Sequence, residues 1–149
     1  MGLATQTLYD IDFAEWADRT AGLLRARRFG DIDWESVVEE IETLGRSERA
    51  AVRSQLRRML AHLIKQRVQP ERDGASWRTS VASARFEIRN DIRDSPSLRR
   101  HLEDNLHMIY GDAVEEALVQ MNRQAADLPA ECPWTVDQLM DGDIGSLVQ

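Results

Sequence analysis

Residues 34–67 read WESVVEEIETLGRSERAAVRSQLRRMLAHLIKQR. Apolar side chains recur along this stretch at Trp34, Val37/Val38, Ile41, Leu44, Val52, Leu56, Met59 and Leu63, with Gly45, Glu48 and Gln55 on or beside the same line. Steps of three and four residues put them on one face of a helix. No proline interrupts the run. Gly45 costs about 1 kcal/mol relative to Ala in a helix interior, which packing outweighs. One long helix over about 34–68 is therefore expected, capped by Asp31 or Asp33. The competing reading ends a helix at Leu44, leaves Gly45 past its end and starts another at Ser47.

On the N-terminal side, residues 1–9 read as a loose lead-in. Asp10 or Asp12 caps a first helix over about 12–28, with Phe13, Trp16, Ala17, Thr20, Leu23 and Leu24 facing inward. Phe29-Gly30-Asp31 is a stop signal, with arginines at the negative helix end. On the C-terminal side, Gln69-Pro70 to Gly74 ends the long helix. A helix over about 76–93 follows, with Trp77, Val81, Ala84, Ile88 and Ile92 inward. Ser95-Pro96 opens the next, with Ser95 as N-cap, running over about 97–126. Its inward face is Leu98, Leu102, Leu106, Ile109, Ala113, Ala117 and Met121. A linker from Leu128 leads to a short helix over about 135–140, opened by a capping box at Thr135 and Gln138. In the tail, residues 127–149, Trp134 is placed to anchor the segment on the bundle. The expected fold is all-α: an antiparallel helical bundle of four main helices in a single domain.

The chain has 149 residues and a net charge of −7, unevenly distributed. Residues 1–45 carry ten acidic and four basic side chains, residues 46–100 six and fourteen, residues 101–149 ten and one. Such a chain satisfies itself by folding its ends on its middle, or presents a basic face to an anion. One cysteine, Cys132, excludes an internal disulfide and a cysteine-based zinc site. No signal peptide, and no apolar run near the ~18 residues of a membrane span, is present. A cytoplasmic protein without a membrane partner is expected. Phosphate-binding, nucleophile-elbow and zinc-protease motifs are absent, and no cofactor is implied.

Three groups of polar residues lie near the apolar stripe. Glu39 and Glu42 share a helix face, and two carboxylates inside a bundle can hold a metal when histidines join them. His62 stands about 30 Å farther along an unbroken helix, so the three meet only if the helix folds back at Gly45. No metal site is expected; a solvated or arginine-paired acidic face is the simpler reading. Arg46, Arg49, Arg53 and Arg57 form one basic row, and Arg78, Arg85, Arg89 and Arg93 another. Arg85 sits at the edge of the core, where a charge requires a partner; Glu39, Glu42, Glu48 or the acidic fourth main helix can supply it. His62 and Lys65, on one turn, come near Trp77 and Arg78 after the turn at Pro70.

Certain residues together resemble the bacterial Domain of Unknown Function family 29. They are Leu8 to Phe13 with Trp16, Arg28-Phe29 with Asp33, and Glu39-Glu40-Ile41-Glu42 with Gly45 to Glu48. They continue with His62 to Lys65, Gln69-Pro70, Ser76-Trp77-Arg78, Arg85, Ser95 to Leu98, and Tyr110 with Ala113. The resemblance covers about residues 8–143. It implies a compact helical domain of unassigned activity and transfers no catalytic residue. It draws attention to the polar cluster Glu39, Glu42, His62, Lys65, Trp77, Arg78 and Arg85.

The function expected is that of a non-enzymatic helical module that binds a protein partner or itself, in an interaction or regulatory role. The alternatives are an enzyme or metal-binding bundle using Glu39, Glu42 and His62, and nucleic-acid binding through the arginines of residues 46–93. The net charge, and the lack of aromatic residues among those arginines, weigh against the last.

Overall fold

The computed structural model describes residues 5–72, 74–122 and 128–149. Among them are six α-helices, four of them long, and no strand: α1 (Leu8–Ile11), α2 (Phe13–Arg25), α3 (Trp34–Val68), α4 (Ser76–Asp94), α5 (Ser97–Met121) and α6 (Val136–Asp141). Short 3-10 turns lie at Phe29–Asp31, Pro70–Arg72 and Gly145–Val148. The chain divides into two compact units, residues 1–46 and 47–149.

α3 is one helix of 35 residues that runs through Gly45 without interruption, as the unbroken apolar phase requires. Asp33 caps it, accepting from the Ser36 N–H at 3.3 Å. Glu35 in its first turn and Lys65 and Arg67 in its last complement the helix dipole.

In the first unit the lead-in is not loose throughout, because Leu8–Ile11 makes a helical turn. The Asp10 carboxylate holds it by accepting from the Thr7 N–H and hydroxyl at 3.1 and 2.9 Å. Asp12 then caps α2 through the Glu15 N–H. α2 ends at Arg25, three residues earlier than the arginine-rich run suggests. The left-handed residue after it is Arg27 (φ 56°), not Gly30. Arg28 N–H bonds Leu23 O and Arg27 N–H bonds Leu24 O, the paired closure of a Schellman motif. Tyr9 meets Phe13 and Trp16 edge to face, the Tyr9 and Trp16 centroids 4.7 Å apart, and the Phe13 and Trp16 rings are tilted at 35°.

In the second unit one hydrophobic core gathers residues between Val52 and Val148. Val52, Leu56, Met59, Leu60, Leu63 and Ile64 of α3 are fully or almost fully buried. They meet Val81, Ala84 and Ile88 of α4, Leu102, Ile109, Ala113 and Ala117 of α5, and Leu139 and Met140 of α6. Each fully buried Leu or Ile contributes about 1.5–3 kcal/mol relative to exposure. Trp134 joins this core, and its indole N–H donates to Leu147 O at 2.9 Å. The Thr135–Gln138 capping box opens α6. α5 ends at Met121, with Asn122 left-handed as its cap; the expected end near Ala126 lies outside the described residues. Ser95 does not cap α5: its hydroxyl donates to Glu48 at 3.1 Å, and the helix starts behind Pro96.

Among the described residues, the members of the second unit's core come from α3 onward. The apolar stripe of α3 is buried only from Val52 on; Trp34, Val38, Ile41 and Leu44 are 47, 51, 63 and 60 % exposed.

Candidate functional site

The seven polar-cluster residues fall into three places. Glu39 and Glu42 stand exposed on the first unit's part of α3. Glu42 lies 3.8 Å from Arg46 on the next turn, a solvent-exposed pair that is worth little. The carboxylate between them is the engaged one: Glu40 accepts the Tyr9 hydroxyl at 3.0 Å. That bond, more than burial, raises the Tyr9 pKa. The sequence reading missed this contact, which joins residues thirty-one positions apart.

His62, Lys65 and Trp77 do come together, in the second unit. With Gln66, Gln69, Ser80 and Gln120 they line a groove of about 330 Å³ between α3, α4 and α5. Trp77 is buried and forms its wall. Lys65 donates to Gln120 Oε1 at 2.7 Å. Burial lowers the His62 pKa, helped by Lys65 and Arg58 and opposed by Glu116. The imidazole is thus neutral at pH 7, one nitrogen a donor and the other an acceptor. With Ser76 also on its wall, the groove offers amides, two hydroxyls, an imidazole and one ammonium, all able to hydrogen-bond. Among the described residues no hydrogen bond joins His62 to Ser80 or Ser83, the arrangement that activating a serine requires.

Arg78 and Arg85 line a separate open cleft of about 700 Å³, bounded by α4 and residues 141–145. The sequence requires a carboxylate for Arg85. Instead its Nε donates to the carbonyl of Leu139 at 2.8 Å, in the last turn of α6. That carbonyl is one of the unpaired acceptors at a helix end, and the negative pole of the dipole favours a cation there. Arg78 lies over the Trp77 ring, 5.3 Å from its centroid.

Other arginines have side-chain partners that the sequence did not reveal. Arg53 meets His101 Nε2 at 2.9 Å, and Arg57 pairs with Glu116 at 3.0 Å. Arg99 bonds Asp137 and approaches Glu103 and Asp141 at 3.6 and 3.9 Å. What the sequence foresaw was the class of partner, Glu39, Glu42 and Glu48 or acidic α5, of which Arg46–Glu42 and Arg57–Glu116 are instances. Among the described residues no group of three His, Cys, Asp or Glu side chains is placed to hold a metal ion. No described helix is long and apolar enough to cross a membrane.

Comparison with known proteins places this arrangement in a family. One solved structure with the same fold is an alpha-helical protein of unknown function from Rhodospirillum rubrum. It is 29% identical, with 96% of each chain covered and a TM-score of 0.65. No curated protein matches the chain. Residues 8–144 match the model of a family described as Domain of unknown function DUF29. That match spans nearly the whole chain, so the chain belongs to the DUF29 family, whose function is unassigned.

Proposed function

We propose that the chain is a helical interaction module that pairs with a second copy of itself along α3. The observation that carries this reading is the exposed stripe Trp34, Val38, Ile41 and Leu44. Among the described residues, eight of the eleven large exposed apolar side chains lie in the first unit, and the apolar residues that unit buries are Trp16 and Ile32. An apolar stripe on a helix ordinarily covers a core, and so small a buried core contributes little to holding the unit.

Charge supports a second copy as the occupant. Glu42, Glu39 and Glu35 lie two, five and nine residues before Leu44; Arg46, Arg49 and Arg53 lie two, five and nine residues after it. In an antiparallel pair of α3 helices crossing at Leu44, each glutamate meets an arginine of the other copy, and Trp34, Val38 and Ile41 of one copy lie against Ser54, Ala50 and Ser47 of the other. A closed two-fold contact of this kind is the commonest form of assembly. The nucleic-acid alternative is weakened by the net charge of −7.

The test is light scattering on a sizing column, with charge exchange as the control for orientation. The expected wild-type mass is that of a dimer. Glu39→Arg alone weakens the dimer, and Glu39→Arg with Arg49→Glu restores it. A wild-type chain that stays monomeric at high concentration ends the proposal. Failure of the double variant to restore ends the antiparallel arrangement.

A further inference from the structure

The cleft bounded by α4 and residues 141–145 contains donors without acceptors. With Arg85 Nε engaged by Leu139 O, its Nη2 is buried and has no hydrogen-bond partner among the described residues. Buried polar groups are otherwise nearly always satisfied, and a lone one is costly. The carboxylates lining the cleft do not supply the acceptor. Asp143 Oδ2 accepts from the N–H and hydroxyl of Ser146, both at 3.0 Å. Asp141 Oδ2 is drawn 3.9 Å from Arg99. Among the described residues neither aspartate forms an ion pair with Arg78 or Arg85.

The second donor is the exposed Arg78. Arg78 lies seven residues before Arg85, two turns back on the same helix face. Its guanidinium rests against Gly145. A Cβ there would stand 3.2 Å from Asp143 Oδ2, 3.3 Å from Arg78 Nη2 and 3.7 Å from Nη1, so the Asp143 and Arg78 side chains both lie close to Gly145. The Trp77 ring holds its other side. Two planar cations are therefore held at one cleft, one of them with an unused donor. Arginine presents paired N–H groups that fit the two oxygens of a carboxylate.

We infer that this cleft is a binding site for a small, singly charged carboxylate, held by Arg85 and Arg78. The charge of the walls selects that class. Asp141 and Asp143 bring two negative charges to the same cleft, which disfavours a phosphate dianion far more than a monovalent carboxylate. Burial, and after it the nearby Arg89 charge, lowers the Arg85 pKa, while Asp141 and Asp143 oppose the shift.

The experiment is an NMR titration of the full-length 15N-labelled chain with sodium acetate, at constant ionic strength, following the Arg78 and Arg85 Nε–H and Gly145 amide signals. Inorganic phosphate and sodium chloride serve as parallel arms. Expected are saturable shifts with acetate, none with chloride, and phosphate binding at least tenfold weaker. Arg78→Gln, a change at an exposed side chain that leaves the fold intact, weakens acetate binding about tenfold. Arg85→Lys, which keeps the charge but loses the paired donors, abolishes it. Shifts that rise linearly with any salt, or an acetate response unchanged in Arg78→Gln, overturn the site. Phosphate saturating as tightly as acetate overturns its selectivity.

Discussion

Replacing Ile41 with Ser separates self-association from folding. Ile41 is 63 % exposed within the single chain, so its removal costs the monomer little, and Ile and Ser have similar helix propensities. In the antiparallel pair the same side chain is covered. Full burial of an Ile side chain is worth about 1.5–3 kcal/mol, and about two thirds of that remains to be gained on pairing, or about 1–2 kcal/mol. A two-fold interface contains the residue twice, giving about 2–4 kcal/mol. At 1.4 kcal/mol per factor of ten, the dimer dissociation constant rises about 30- to 700-fold. Sedimentation equilibrium measures that constant, and thermal unfolding of the dilute variant checks that the monomer is unharmed. Equal dissociation constants for variant and wild type would refute the assignment of the stripe to the interface. A variant that also melts as a dilute monomer would show that Ile41 belongs to an internal core.

Leu56→Ala, at a fully buried position of α3, costs about 2–5 kcal/mol in urea unfolding; a loss below 1 kcal/mol contradicts the packing described. Arg27→Gly relieves a left-handed backbone (φ 56°) that costs about 1–2 kcal/mol in a residue with a Cβ. Glycine's added chain entropy takes back about 0.5–1 kcal/mol, so a net gain of up to about 1 kcal/mol is expected, and destabilisation would count against the cap. Burial lowers the pKa of His62 and of His101, and the nearby cations Lys65 and Arg53 act in the same direction. The unfolded chain then takes up protons near the ordinary value of about 6.5 before the folded chain does. Both contributions are complete above about pH 6.5 and are lost as pH falls from there through the folded-state values. Denaturant titrations at pH 7 and below follow this, and His62→Gln with His101→Gln flattens the slope.

The helices were legible because each carries its own signal. A stripe at three- and four-residue steps identifies α3, α4 and α5, and Asp12, Asp33 and Thr135 cap as their positions suggest. What periodicity cannot give is how far along a helix its apolar face finds a partner. Trp34 to Leu44 and Val52 to Leu63 continue one stripe in the sequence, yet only the second half lies in a core. The difference is made by α4, α5 and α6, which gather around residues 52–64, and by the slightness of what α1 and α2 offer. Helix ends were less legible for a related reason. Arg27 rather than Gly30 takes the left-handed position because the chain closes the Leu23 and Leu24 carbonyls at once, a local geometry that a glycine three residues later cannot serve.

The polar cluster was legible as proximity but not as pairing. Sequence spacing correctly brings His62, Lys65 and Trp77 into one groove, since one helical turn and one tight connection determine it. Arg85 is the instructive failure. Its place at the core edge demands a partner, and the search for one among glutamates and aspartates is natural because those are the anions a sequence displays. The partner is a peptide carbonyl at the end of a six-residue helix fifty-four positions away. Every helix end carries such acceptors, but no side chain marks them. Because the acceptor is a single neutral oxygen, it takes one N–H and leaves Nη2 without a partner among the described residues. Asp141 and Asp143 act on the Arg85 charge from across the cleft without accepting that N–H, and it is this missing acceptor that the proposed carboxylate would supply.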